Sequence, residues 1–440
     1  MGSKSNGSAQ GGQGFPGKAL PRVDKPGRLL YTLGRGMERP EAPARHGMRV
    51  LVNEISTWDG AKTGVGHYAA SLVAALGARG EVEVAHYPPA WLGLTLAGWK
   101  RSRRWLPRPV ATCRSAPLSP ALDSPPSLKH RLLQRHFERF CRGGQFDLYH
   151  EPNFIPFGCE LPTVVTIHDL SVLLHPEWHP AERVRHYEQH FHRGLSRCAH
   201  VLTVSEFTRR EVIAALSWPP ERVTRTYNGV RPSMMPLASD AVRRTLRRLK
   251  LPARYLLHVG TIEPRKNLVT LIRAYGALPA ALRESCPLVL VGAWGWNHDE
   301  IARILQADGR HLGVRHVGYV NDRDLPAVYN GATALVFPSF YEGFGLPVVE
   351  MMACGGAVLA STADALVELA AGQAQLIDPR DVDGWRSAME RVVEDHEWRA
   401  TLRAGAVRRA ARFTWEACAA DTVNVYRAAI APGDRLALAG

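Results

Sequence analysis

Two glutamates flank a glycine-containing loop near the end of the chain. Glu342 precedes Gly343-Phe344-Gly345-Leu346, and Glu350 follows in the segment that Pro347 is suited to begin as a helix. Small residues let a ligand approach the backbone, and the free amides and partial positive charge of a helix start favour an anion, above all a diphosphate. Both carboxylates can accept hydrogen bonds from sugar hydroxyls. The alternative is that Glu350, in the first turn, complements the helix dipole and Glu342 is a surface residue.

Two adjacent cations, Arg265 and Lys266, stand in the stretch Gly-Thr-Ile-Glu-Pro-Arg-Lys-Asn that begins at Gly260. This stretch also follows a predicted strand and precedes a predicted helix. The pair can neutralise negative charge that grows on a departing diphosphate, which stabilises a transition state electrostatically. Taken alone, an Arg-Lys pair is also typical of solvated surface.

Two further sites lie in the first half of the chain. His168 closes an apolar run, and ligands of open α/β sheets bind beyond the carboxyl ends of strands. A lone histidine is more often structural, but one at this edge can contact a reacting group. Gly64 and Gly66 stand between the first predicted strand and helix, which predicts a glycine loop pointing to the same cleft.

The elements that position these residues alternate between strands and helices, which predicts parallel α/β sheets. Helices are predicted after the glycines, near Ser205, after Asn267 and from Pro347 to Gly355. The predicted strands are 48–53, 82–86, 148–150, 163–167, 200–204, 255–260, 288–291, 314–317, 334–337, 357–360 and 375–377.

The pattern restarts after a proline-containing stretch, so two domains are predicted. Residues 1–46 are predicted to be a disordered leader, and residues 47–235 and 250–412 are predicted to be an N-terminal and a C-terminal Rossmann-like domain, with the best linker at 231–251. Residues 413–430 form a terminal helix, since Trp415, Ala419, Val423 and Tyr426 make one apolar stripe.

Composition excludes several classes of protein. The 440 residues are 45% hydrophobic and 22% charged, as in soluble globular proteins. No stretch reaches the roughly 18 apolar residues that span a bilayer, and the N-terminus lacks the apolar core of a signal peptide, which together predict a cytoplasmic protein. The seven cysteines are scattered singly, so neither a zinc site nor a disulfide framework is indicated.

The net charge of +14 is unevenly distributed. The segment 99–142 is basic, and its part 131–142 reads as an amphipathic helix with Leu132, Leu133, Phe137 and Phe140 on one side. Such a segment suits the anionic inner face of a membrane, and the protein would then be peripheral there. The alternative is a core-facing helix with a solvated basic face.

Together these motifs resemble the retaining nucleotide-sugar glycosyltransferases of family four, which have the GT-B fold of two Rossmann-like domains facing a central cleft. The resemblance covers residues 48 to 430 and implies that 47–235 is the acceptor domain and 250–412 the nucleotide-sugar-binding domain. Its most specific signature is the pair Glu342 and Glu350, with seven residues between them. The pattern is most similar to bacterial mannosyltransferases that use GDP-mannose, although UDP-sugars stay open. If the basic segment 99–142 contacts a membrane, the expected acceptor is a lipid-linked saccharide at the inner leaflet, and the enzyme would build a polysaccharide or glycolipid.

The resemblance implies a role for each site residue. Glu350 would hold the donor ribose and Glu342 the transferred sugar, while the amides around Phe344, Gly345 and Leu346 would contact sugar or diphosphate. Arg265 and Lys266 would bind the diphosphate. His168 would lie near the reaction centre, and Gly66 would shape the phosphate loop. No cofactor is needed beyond the nucleotide-sugar co-substrate.

No metal is required by this resemblance. Asp322/Asp324 and Asp381/Asp383 match the DxD metal pattern of another glycosyltransferase fold, but each pair sits where a helix should begin, so helix capping is expected. Rival interpretations are a nucleotide-sugar epimerase of the same fold, a basic nucleic-acid-binding protein and a non-catalytic sugar-binding relative. Because no nucleic-acid reading motif is present, no nucleic-acid partner is expected.

Overall fold

The computed structural model describes residues 47–55, 64–89 and 128–431. The leader predicted for residues 1–46 and most of the basic segment, residues 99–127, lie outside the described residues. Within the described ranges the chain forms two six-stranded sheets, and every paired strand is parallel to its neighbour.

The first sheet has the strand order β2-β1-β3-β4-β5-β6. Its central strands read as short apolar runs because helices cover both faces of a parallel sheet. The strands are β1 (Met48–Asn53), β2 (Val82–Tyr87), β3 (Leu148–Glu151), β4 (Thr163–Ile167), β5 (His200–Thr203) and β6 (Val223–Arg225). The sequence did not predict β6, which has only three residues and one apolar side chain.

The second sheet has the order β12-β11-β10-β7-β8-β9. β10 pairs with β7 directly, so the connections on the two sides of this pair run in opposite directions. The strands are β7 (Leu256–Val259), β8 (Leu288–Val291), β9 (Val314–Gly318), β10 (Ala334–Phe337), β11 (Ala357–Ser361) and β12 (Gln375–Ile377). All six were predicted to within one or two residues at each end.

Helices connect the strands on both sheets. In the first half of the chain they are Gly64–Ala78, Leu128–Gly143, Ser171–Leu174, Ala181–Leu195 and Glu206–Leu216. In the second half they are Ser239–Arg248, Leu268–Gly276, Ala280–Ser285, Asp299–Ala307, Gly309–Leu312, Leu325–Gly331, Leu346–Ala353, Asp364–Ala370, Val382–Glu394, His396–Ala404, Ala406–Ala410 and Trp415–Ile430. Short 3-10 turns lie at Pro176–Trp178, Pro220–Arg222 and Pro264–Lys266.

The last helix packs on the first sheet rather than on the second. The Thr414 side chain caps it by accepting a hydrogen bond from the Ala417 amide at 3.1 Å. Its apolar stripe shares one core with Val50, Val52 and Tyr68. The chain therefore crosses between the two sheets twice, and the crossings touch, since the Val230 amide donates to the Phe413 carbonyl at 2.9 Å.

The predicted linker at 231–251 contains a helix that belongs to the second domain. Val242 and Leu246 of the helix Ser239–Arg248 are buried in the same core as Tyr255 and Tyr329. The spacing of these two residues places both on one face, and the basic residues lie on the other. The chain between the domains is therefore shorter than the sequence suggested.

Candidate active site

The two loops that carry the strongest sequence motifs follow β7 and β10. Because these two strands are neighbours and their outward connections diverge, their carboxyl ends form the crevice where open α/β sheets bind ligands. Asn267 fixes the loops together: its Nδ2 donates to the carbonyls of Pro338 and Pro379 at 3.0 and 2.6 Å. Its φ of 56° lies in the left-handed region, which asparagine tolerates better than most residues.

Lys266 and Glu342 meet at the bottom of this crevice. Lys266 Nζ donates to Glu342 Oε1 at 2.5 Å, and Arg265 Nη1 lies 3.5 Å from Glu342 Oε2. Burial would raise the pKa of Glu342, but the two cations outweigh burial and the pKa lies below its ordinary value. Glu342 is therefore a charged, oriented hydrogen-bond acceptor.

Arg265 also contacts two carboxylates that the sequence analysis did not select. Its Nη2 donates to Glu263 Oε1 at 3.0 Å, and its Nη1 lies 3.3 Å from Asp169 Oδ2. Two cations are thus surrounded by three carboxylates. Donor capacity remains for ligands, because the bond to Glu342 uses one of three Lys266 hydrogens and the buried Arg265 Nε has no partner among the described residues.

His168 directly follows β4 and is buried. Its Nε2 must donate to the Pro152 carbonyl, 2.8 Å away, and its ring meets Tyr68 edge-on at 4.7 Å. Burial lowers the pKa of His168, which outweighs the opposing effect of the Pro152 carbonyl. The ring is held neutral beside Asp169, at the edge of the first sheet that faces the Lys266–Glu342 pair.

The loop at Gly343 joins the two domains directly. The Gly343 carbonyl accepts hydrogen bonds from Ser205 Oγ at 2.6 Å and Thr208 Oγ1 at 3.2 Å. A Cβ at Gly343 would lie 1.6 Å from the carbonyl oxygen of His168, so only glycine allows this approach. Phe344 packs its side chain against Phe413 at the crossing of the chain.

The helix Leu346–Ala353 begins as predicted, with Gly345 before it in the left-handed region at φ 111°. Gly355, at φ 73°, follows its end. Glu350 is the fifth residue of this helix, so the interpretation that placed it in the first turn is wrong. It faces the protein interior.

Glu350 is held by groups outside its own helix. Its Oε1 accepts from Arg231 Nε and Nη2 at 3.1 and 2.7 Å, and its Oε2 accepts from the Tyr329 hydroxyl at 2.8 Å. Burial raises the pKa of Glu350, and Arg231 only partly opposes that effect. Arg231 Nη1 donates to Asp322 at 2.8 Å.

Gly64 and Gly66 lie in the first turn of a helix, not in a loop. The helix Gly64–Ala78 begins at Gly64, and Gly66 is buried within it. The prediction of a glycine loop is therefore wrong for these two residues. The helix whose apolar residues follow them already begins at Gly64. The helix start lies beyond the carboxyl end of β1.

Sequence comparisons agree with this geometry. A family model described as "Glycosyl transferases group 1" matches residues 246–409, and one described as "Glycosyltransferase Family 4" matches residues 62–233. The chain is 37% identical over 282 residues to O-antigen chain mannosyltransferase B of Escherichia coli, covering 64% of this chain and 74% of that protein. The chain belongs to this family of glycosyltransferases.

Another mannosyltransferase and two solved structures are also similar to this glycosyltransferase. Serotype-specific mannosyltransferase WbdA of Escherichia coli is 32% identical over 260 residues, which is 58% of this chain and about a third of that protein, 32%. Anabaena HepE, solved with UDP and glucose, has a TM-score of 0.64 at 16% identity and covers 87% of this chain and 100% of its own. WaaG has a TM-score of 0.62 at 14% identity, covering 86% and 99%. These likenesses confirm the GT-B fold.

The structure brings most of the predicted site residues of the glycosyltransferase together. Arg265, Lys266, Glu342 and His168 with its neighbour Asp169 lie around one crevice, while Glu350 is linked to the interdomain chain by Arg231. Arg231, Asp169 and Glu263 were missed as site residues. Glu263 lies inside the motif that begins at Gly260 and Asp169 directly follows His168, whereas no local signal marked Arg231. The individual roles stay predictions.

The two DxD sequences of the glycosyltransferase are only partly explained by capping. Asp381 caps the helix Val382–Glu394 by accepting from the Gly384 amide at 2.8 Å, as predicted. Asp324 precedes a helix but binds Arg248 and Asn321 instead, and Asp322 pairs with Arg231, so capping is wrong for this pair. The described residues contain no group of three metal-ligating side chains.

The described part of the basic segment of the glycosyltransferase faces the core. In the helix Leu128–Gly143, Phe137 is fully buried against Tyr87 and Tyr149, with Phe140 packed beside them. Leu132 is 56% exposed and does not share that face, so grouping it with Phe137 is wrong. The arginines of residues 131–142 point outward. Within the described ranges, every helix is too short or too polar to cross a bilayer.

Proposed function

We propose that this glycosyltransferase transfers mannose from GDP-mannose to a saccharide acceptor, with retention of the anomeric configuration and without a metal ion. The observation that carries the sugar assignment is the 37% identity to O-antigen chain mannosyltransferase B over 74% of that protein. A second named mannosyltransferase, WbdA, matches at 32% identity. The alternative donor is a UDP-sugar, because HepE of the same fold was solved with UDP-glucose.

The donor diphosphate would lie between the start of the helix Leu346–Ala353 and the cations Arg265 and Lys266. The amides around Gly345 and Leu346 and the two unused hydrogens of Lys266 would supply the hydrogen bonds that an oxyanion needs, and Arg265 would add positive charge. Glu342 would accept from hydroxyls of the transferred sugar, since Lys266 keeps it ionised. Glu350 would accept from the ribose.

Retention follows in this proposal from a front-face displacement. The bond from the sugar C1 to the diphosphate oxygen breaks, and the bond from C1 to the acceptor oxygen forms on the same face. The acceptor proton passes to the departing diphosphate oxygen, whose negative charge Arg265 and Lys266 stabilise. Glu342 does not act as a nucleophile here, because its carboxylate is already engaged by Lys266 at 2.5 Å.

The acceptor would be a lipid-linked saccharide at the inner face of the plasma membrane, in the biosynthesis of a polysaccharide or glycolipid. The outward arginines of the helix Leu128–Gly143 support contact with an anionic surface. Because Phe137 is buried, contact would involve charge and the exposed Leu132, not insertion of the phenylalanine face. The family assignment leaves the rival nucleic-acid interpretation without support.

Thermal stabilisation by GDP, UDP, ADP and their sugars, each with and without EDTA, tests the proposal. A bound ligand raises stability with the logarithm of its concentration over its dissociation constant. We expect a shift with GDP and GDP-mannose that EDTA leaves unchanged. A shift with UDP-sugars alone would replace the donor, a shift abolished by EDTA would contradict metal independence, and no shift with any nucleotide would overturn the proposal.

A further inference from the structure

Three buried polar atoms at the interface between the domains lack hydrogen-bond partners among the described residues. They are His179 Nδ1, Glu263 Oε2 and Arg265 Nε. His179 and Glu263 are 7% and 2% exposed, so water outside the protein does not satisfy them. Buried polar atoms are nearly always paired in folded proteins, and each exception calls for a ligand or a bound water.

The protonation of the His179 ring follows from its neighbours. Ser171 Oγ donates its single hydrogen to Asp169 Oδ1 at 2.7 Å, so it can only accept from His179 Nε2, which lies 3.0 Å away. Burial lowers the pKa of His179, which outweighs the effect of nearby Glu263. In the neutral ring Nε2 carries the hydrogen, and Nδ1 is left as a buried acceptor.

Glu263 and Trp296, whose ring lies beside the ring of His179, are both carried by loops of the second domain that are bonded to each other. The loop after β8 is joined to the loop that carries Glu263 by hydrogen bonds in both directions: the Ile262 amide donates to the Ala293 carbonyl and the Gly295 amide to the Ile262 carbonyl, each at 3.0 Å. That loop places the Trp296 ring 5.9 Å from the His179 ring, roughly parallel to it. Trp296 Nε1 donates to the Trp178 carbonyl across the interface at 2.9 Å.

We propose that His179 and Glu263, with Arg265 Nε, form a subsite for hydroxyls of the acceptor saccharide. A sugar hydroxyl both donates and accepts, so adjacent hydroxyls can donate to His179 Nδ1 and Glu263 Oε2 while one accepts from Arg265 Nε. His179 belongs to the first domain, and Arg265 adjoins the predicted diphosphate site. The subsite therefore contains residues of both domains and adjoins the predicted diphosphate site. This inference rests on the proposed function and extends it to the acceptor.

Two substitutions of His179 separate binding from structural support. His179→Gln keeps an N–H donor near the Nε2 position, and so the bond to Ser171, but has no acceptor at the Nδ1 position. His179→Asn keeps a polar group near Nδ1 and loses the bond to Ser171. Glu263→Gln keeps an oxygen for Arg265 and replaces the second acceptor oxygen by a donor. His192→Gln, at an exposed position, is the matched control.

The assay measures transfer from the donor that gives the thermal shift to methyl α-mannoside and α-linked mannobiose. We expect His179→Gln and Glu263→Gln to raise the acceptor KM on the order of tenfold, the cost of leaving a buried hydroxyl unpaired. His179→Asn should be milder than His179→Gln, and His192→Gln should stay within about twofold. If His179→Gln does not fold by thermal melt, Glu263→Gln carries the test.

Several results would overturn the subsite. If His179→Asn raises the acceptor KM more than His179→Gln does, His179 only supports Asp169 through Ser171. An unchanged acceptor KM in both His179→Gln and Glu263→Gln would remove the subsite while leaving the glycosyltransferase proposal intact. A wild-type enzyme that binds its donor but saturates with neither mannoside would also count against it. Absence of any nucleotide binding would instead defeat the proposed function itself.

Discussion

Arg231 donates two hydrogen bonds to a single oxygen of Glu350, at 3.1 and 2.7 Å, from a position on the chain that crosses between the two domains. The Tyr329 hydroxyl donates one hydrogen bond to the other oxygen of Glu350. A carboxylate has about four lone-pair sites, so little acceptor capacity remains for a ribose diol. A nucleotide that binds Glu350 must therefore share it with Arg231 or displace Arg231, which connects donor binding to the interdomain chain.

Replacing Arg231 by Gln should destabilise the protein by about 3 kcal/mol, because it leaves the buried Glu350 carboxylate without its cation. The free energy of unfolding in urea measures the change. The double variant Arg231→Gln/Glu350→Gln should cost less than the sum of the two single variants, since the unpaired charge is gone. Strict additivity would show that the ion pair contributes nothing to stability.

Lys266→Ala should raise the activation free energy of transfer by about 3 kcal/mol, because Lys266 stabilises charge on the leaving diphosphate in the proposed function. The transfer rate should then fall on the order of a hundredfold. Arg265→Ala should act in the same direction. Steady-state kcat and KM for the donor are the measurements. The control is Arg273→Ala, which removes a cation that is 65% exposed on the following helix. Full activity in both Lys266→Ala and Arg265→Ala would remove the diphosphate assignment.

The sequence predicted the sheets well because their strands are buried runs such as Leu288–Val291, which need no tertiary information to recognise. It missed β6 because three residues with one apolar side chain give no periodic signal. It also placed Glu350 in the first turn and Gly64 in a loop, since the first residue of a helix cannot be fixed from spacing alone. The errors at Glu350 and Gly64 concern helix boundaries, whereas β6 was missed as a whole element.

The candidate site could be predicted as motifs but not as contacts. The pairing of Lys266 with Glu342 follows from two strand–loop–helix units whose strands turn out to be neighbours, and no local pattern states which strands pair. Arg231 meets Glu350 across 119 residues of chain, so neither residue signals the other. Glu263 stood in the quoted motif, but its carboxylate gained meaning only when its second oxygen proved to lack a partner.

Gly343→Ala should reduce transfer strongly, because its Cβ would lie 1.6 Å from the His168 carbonyl and the loop carrying Glu342 would have to move. Gly77→Ala is the matched control. Its Cβ would meet nothing within 4 Å, and alanine next to the end of the helix Gly64–Ala78 should stabilise by at most about 0.5–1 kcal/mol, the gain inside a helix. Thermal melts with transfer assays compare the two variants. A fully active Gly343→Ala would mean that the contact between the domains is not needed for catalysis.

Glu151, at the end of β3, is a buried carboxyl that should make stability depend on pH. Its Oε2 accepts from Asn53 Nδ2 and the Tyr149 hydroxyl, each at 2.6 Å, and its Oε1 from the Asn153 amide at 3.0 Å. Burial nevertheless raises the pKa of Glu151 to about 8. A carboxyl in an unfolded chain titrates near about 4.3.

The sign of the effect follows from these two pKa values. Below about pH 4.3 both states of Glu151 are protonated, and its contribution to stability is fully present. As the pH rises from there toward 8, only the unfolded chain releases the proton, so the free energy of unfolding falls by about 1.4 kcal/mol per pH unit.

The variant Glu151→Gln tests this effect because its side chain cannot titrate. The difference in free energy of unfolding, wild type minus Glu151→Gln, should therefore decrease between pH 5 and pH 8 in urea titrations. Glu177→Gln, whose side chain is 62% exposed, is the control for replacing a surface carboxylate. A difference that stays constant over this range would mean that Glu151 is already ionised at pH 5, held so by Asn53, Tyr149 and the Asn153 amide.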